Sequence, residues 1–93
     1  MKRIELQFNK AICKLAGNSY GIKTYEDQVK GKFDMAEGCV IVFPNQINRI
    51  ASSFIQGFFY DMVVKMGISA IKERIRIESS IANLKDFILS SLI

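Results

Sequence analysis

Residues 39–66 read CVIVFPNQINRIASSFIQGFFYDMVVKM, and this stretch decides the fold. Cys39 to Phe43 is an unbroken β-branched and aromatic run. A strand that is apolar on both faces is covered on both sides or lies centrally in its sheet. Pro44, the one proline, removes a ladder donor and ends it. Beyond the polar stretch 45–49, Phe54, Ile55, Phe58, Phe59, Met62, Val63 and Met66 recur at steps of one, three and four. That spacing predicts a core helix over about 53–66. Gln56, Tyr60, Asp61 and Lys65 fill its remaining arc. Gly57 costs a helix about 1 kcal/mol relative to alanine, so its expected use is close approach to the sheet beneath. Gly67 supplies a left-handed stop.

Upstream, residues 3–8 alternate: Ile4, Leu6 and Phe8 point one way, Arg3, Glu5 and Gln7 the other. This is a strand with one wet face. Asn9-Lys10 reads as a tight turn into a second strand, Ala11 to Leu15. After the turn residues 16–19, Ile22, Tyr25, Val29 and Phe33 sit at helical spacings, with Asn18 or Ser19 as the cap. Downstream, Lys72 to Glu78 alternates as a strand near a sheet edge. Ser79 and Ser80 then open a last helix with the apolar stripe Ile81, Leu84, Phe87, Ile88 and Leu92. Leu89 and Ile93 broaden that stripe beyond one packing face, which makes a homodimer an expectation. The order is strand, strand, helix, strand, helix, strand, helix in a single domain over residues 1–93. The fold class is α/β, a mixed β-sheet of about four strands with about three helices packed against it.

Composition narrows the chemistry. A hydrophobic share of 49% in 93 residues predicts a globular core. Thirteen Lys and Arg against nine Asp and Glu leave a net charge of +4. The basic groups alternate with acids instead of gathering on one stripe, so nucleic acid is the alternative reading and a mixed solvated surface the preferred one. No histidine is present, which removes the commonest general base and metal ligand. Cys13 and Cys39 lack metal-cage spacing and lie in apolar, strand-like stretches, where a thiol packs as a small hydrophobe. A disulfide between them stays open on sequence alone. No signal peptide and no run of about 18 apolar residues is evident, and the expectation is a cytoplasmic, soluble protein with no membrane contact. Serine or cysteine nucleophiles lack an activating base, and the carboxylates are scattered singly beside Lys or Arg. The expectation is therefore no enzyme and no cofactor. At the helix start, Ser53 and Gln56 fit a capping box. Ser52 beside them would stand exposed at a helix N-terminus, where free amides tolerate a phosphate.

Val40 to Phe43, then Ile50-Ala51-Ser52-Ser53-Phe54, the apolar helix through Gly67 and the strand Arg74 to Glu78 together resemble the STAS-like family. These are small relatives of the sulphate-transporter and anti-sigma-factor-antagonist domain. The segment from Leu15-Ala16 to Gly21, with its helix, fits the region before the central strand in that family. The resemblance implies a non-enzymatic regulatory module that docks a protein partner, a kinase-like ATPase or regulator, through the strand–turn–helix around Ser52. By position it makes Ser52 the phosphorylation site, with Ser53 next to it. The acidic residue that commonly precedes that serine, and the glycine that follows the pair, are Ala51 and Phe54 here.

Overall fold

The structure is a computed structural model that describes residues 1–93. In chain order the elements are β1 (Lys2–Glu5), β2 (Lys14–Leu15), α1 (Asn18–Gln28), β3 (Cys39–Val42), β4 (Arg49–Ile50), α2 (Ser52–Arg74), β5 (Ile75–Glu78) and α3 (Leu84–Ser91). The class is α/β. The strands, however, do not form one mixed sheet of about four. They form two parallel ladders, β1-β3-β5 and β2-β4. Parallel pairing follows from the helices that separate β1 from β3 and β3 from β5.

β3 is the middle strand, as its double-sided apolar run predicts. Register places Ile4 beside Ile41 and Ile41 beside Ile77, with Cys39 beside Ile75. This face is the floor of the core. The opposite face carries Arg3, Glu5, Arg76 and Glu78 along the outer strands, with Val40 and Val42 between them. Arg3 Nη1 donates to Glu78 Oε2 at 2.7 Å across β3. Both side chains are half-exposed, so solvent screens the pair. It serves more as a cover over the two valines than as a source of stability.

Three expectations about local structure are overturned. The Asn9 turn exists, with Ile12 N donating to Asn9 O at 2.9 Å, but it builds no hairpin. β2 pairs with β4 instead, Lys14 beside Arg49 and Leu15 beside Ile50. Gln46 Nε2 holds the turn by donating to Asn9 O and Ile12 O. β5 starts at Ile75, because Lys72 and Arg74 are still helical. The last helix starts at Leu84, after an irregular stretch in which Ser79 Oγ accepts from Ile81 N.

Gly67 turns the chain, but it does not end the helical run. It takes φ 82° and ψ 160° inside α2, and a second helical stretch continues to Arg74. A side chain disfavours that backbone conformation, which is why glycine occupies it. By length and composition Ser52–Arg74 reaches what a membrane-crossing helix has, contrary to the expectation that no stretch approaches this. Its apolar side is spent on the interior: Phe54, Ile55, Phe58, Phe59, Met62 and Ile71 are all buried. Phe58 is the hub, with ring centroids 5.9 Å from Tyr25, 6.2 Å from Phe43, 5.8 Å from Phe54 and 5.0 Å from Phe59. One aromatic thus ties α1, α2 and the end of β3 together.

Gly57 marks close approach, but to α1 and not to the sheet. A β-carbon there would run into the carbonyl of Asn18, and one at Gly21 would run into the carbonyl of Phe54 and the amide of Phe58. The two glycines let the helix backbones meet directly, in the most extensive contact between any two elements.

Candidate docking site

The site grows out of the β4–α2 junction. Ala51 is the extended residue before α2, and its amide donates to Leu15 O at 2.8 Å. Its own carbonyl receives Phe54 N at 3.1 Å. No side chain caps this helix. The capping box expected from Ser53 and Gln56 is absent. Ser53 already lies inside the helix, and its Oγ accepts from Gly17 N at 3.0 Å. Gln56 Nε2 reaches Ser91 O at 3.3 Å on α3. The cap expected from Asn18 or Ser19 on α1 is absent too. Gly17 holds that position at φ 103°, with no side-chain bond. The two helix starts therefore lie together, tied by the Ser53 hydroxyl.

Ser52 is left different from its neighbour. It is exposed, and no hydrogen bond engages its hydroxyl. Steps of four along α2 from Ser52 lead to Gln56, Tyr60 and Val64, all exposed, so the four form one ridge. Tyr60 is 65% exposed and Val64 66%. Beside Tyr60 toward α1 is a groove of about 290 Å³ lined by Ile22, Tyr25, Glu26, Lys30, Gly57 and Asp61. On its other side a groove of about 230 Å³ is lined by Gln56, Val63, Ser91, Leu92 and Ile93. A large aromatic ring stands between two clefts.

The first groove also holds the one buried side-chain oxygen without a hydrogen bond, Asp61 Oδ2. Lys65 Nζ sits 3.3 Å from it as a counter-ion, in an arrangement too poorly directed for a hydrogen bond. Burial pushes the Tyr25 phenol well above its usual value, and the Asp61 carboxylate beside it pushes further. Both effects keep the phenol neutral, which suits a structural hydroxyl better than an acid–base role. No three metal-ligating side chains converge anywhere in the fold. Both cysteines are free. Cys39 is buried as expected, but Cys13 is exposed and is not the packed hydrophobe its surroundings suggest.

The sequence picks out Ser52 and Ser53, and the structure places them with different surroundings. The sequence sets Tyr60 on the polar arc of the core helix but gives it no role, because one exposed tyrosine there looks like any other. The available signal was that Tyr60 is the only large aromatic on that arc. Compared with known proteins, the chain matches no family model, no curated protein and no solved structure.

Proposed function

We propose that the chain is a non-enzymatic, STAS-like regulatory module that docks a protein partner over the ridge Ser52, Gln56, Tyr60 and Val64. The observation that carries this reading is Tyr60, exposed between two grooves on the helix that Ser52 begins. Exposed aromatics that flank clefts are the side chains that concentrate binding energy at protein interfaces. Ser52 heads the same ridge, with an unengaged hydroxyl at a helix N-terminus, where a phosphate is electrostatically tolerated. Phosphorylation there would add charge at one end of the docking surface, and a kinase-like ATPase or its regulator is the partner class the STAS-like pattern suggests. Nucleic acid is the lesser reading, because Arg3 and Arg76 on the exposed sheet face are interleaved with Glu5 and Glu78.

The test compares wild type, Tyr60→Ala and Ser52→Asp as baits in lysate of the native host, with intact-mass analysis of the native protein alongside. A stoichiometric partner is expected with wild type, reduced at least about tenfold by Tyr60→Ala, as for a central interface anchor. No stoichiometric partner in any growth state, or full retention by Tyr60→Ala, would sink the reading.

A further inference from the structure

We infer that the open edge of β1 pairs with the same edge of a second copy, antiparallel and centred on Ile4. The contact shares no residue with the grooves beside Tyr60, and so stands apart from the docking reading.

Leu6 N donates to Val42 O at 2.9 Å. In a parallel ladder this turns the backbone groups of the even-numbered β1 residues toward β3 and those of the odd-numbered residues away. Gln7 shows the consequence. Its amide donates to Gln28 Oε1 at 2.7 Å, and its carbonyl accepts from Gln28 Nε2 at 2.9 Å. The Gln28 side chain thus stands in for a neighbouring strand at Gln7. No such partner serves Arg3 and Glu5. Their outward amides and carbonyls line an open groove of about 570 Å³ rimmed by Lys2, Gln28 and Lys32. The opposite edge of the sheet is treated differently: Lys85 Nζ donates to Ile75 O and Lys72 O. An ammonium seated on an outward carbonyl of β5 occupies that edge; β1 carries its charges on the sheet face, and no side chain occupies the outward backbone groups of Arg3 and Glu5.

The occupant is argued from charge. A closed two-fold contact between identical edges runs the strands antiparallel and repeats each contact twice. Only odd residues can exchange backbone bonds, which leaves few registers. Centred on Arg3, the contact sets Arg3 against itself; centred on Glu5, it sets Glu5 against itself and Arg3 against the already capped Gln7. Centred on Ile4, it sets Arg3 opposite the partner's Glu5, twice. Each such pair exchanges both of its N–H···O bonds, and its side chains meet directly on the exposed sheet face. One register is favoured and its neighbours are repelled by like charge. The product is a continuous six-stranded sheet. A contact of four residues a side is smaller than the roughly 1,200 Å² of a stable complex, so the dimer is weak and reversible.

Sedimentation equilibrium on untagged protein over a wide concentration range tests this, with circular dichroism confirming each variant's fold. Wild type is expected to show a reversible monomer–dimer equilibrium. Arg3→Glu and Glu5→Arg, measured singly, should each weaken it by about tenfold or more, since two attractive pairs become repulsive. Glu5→Arg leaves the Arg3–Glu78 pair intact, so its effect cannot be charged to loss of that bond. An equimolar mixture of the two variants should dimerise again, as should the double variant Arg3→Glu/Glu5→Arg. A wild-type chain that stays monomeric throughout overturns the inference and leaves the edge to a strand of another protein. A dimer indifferent to both single substitutions, or a mixture that stays monomeric, overturns it as well by moving the contact elsewhere.

Discussion

Ser52 and Ser53 are neighbours with the same side chain, and the fold gives them opposite duties. Ser53 accepts from Gly17 N at 3.0 Å and joins the starts of two helices. Ser52 faces water. Replacing either by alanine changes helix propensity by about the same amount, so the difference between the two variants isolates the Ser53 bond. Ser53→Ala is expected to cost about 1 kcal/mol more than Ser52→Ala, because it strands a part-buried amide. In a domain of this size that is a difference of about 4–8 °C in melting temperature. Equal melting temperatures would show that the Gly17 amide finds another acceptor. Sequence reasoning finds the pair but gives Ser53 the wrong partner, an amide of its own helix instead of Gly17 N, since a capping pattern and a tertiary bond use the same residue types.

At the scale of elements, the α1–α2 crossing governs the architecture. Gly21 and Gly57 each face the other helix's backbone, with no room for a β-carbon. Gly57→Ala gains about 1 kcal/mol of helix propensity, but backbone atoms cannot swing aside as a flexible side chain can. Separating the helices also loosens the aromatic cluster around Phe58. Overpacking of this kind costs about 1–3 kcal/mol, and the net expectation is destabilisation, read as a lower urea midpoint. A midpoint that rises would mean the crossing is wider than it stands here. The glycine's purpose was readable in the sequence, but its partner was not. Helix propensity explains why a mid-helix glycine needs a reason, and only packing says which surface supplies it.

For the whole molecule, burial in the core ties stability to alkaline pH. Burial pushes the Cys39 thiol from its ordinary 9.0 up to about 11, and burial with Asp61 raises the Tyr25 phenol. Both groups hold their protons more tightly folded than unfolded, so the unfolded chain releases them first as pH rises. The Cys39 contribution is complete below about pH 9 and is lost as pH climbs through 11; that of Tyr25 starts to fall only above its ordinary 10.0 and is still being lost beyond that limb. Melting temperatures across pH 8–11 should fall on that limb, and Cys39→Ala should flatten its lower part. An unchanged slope in the variant would contradict the burial of this thiol.

The sequence by itself determined the α/β class, the central place of Cys39 to Phe43, the edge position of the Ile75–Glu78 strand and the buried side of α2. Each is a matter of period: side chains that repeat every two or every 3.6 residues must put their apolar members on one face. The tertiary structure alone decided that β2 leaves the main sheet for β4, that Ser53 serves Gly17, and that Gly57 meets α1. It also decided that Gln28 and Lys85 close parts of the sheet edges while Arg3 to Glu5 stays open. These are meetings between residues 10 to 39 positions apart. No local pattern encodes them, because a hydrogen-bonding group takes whichever partner the packed chain delivers.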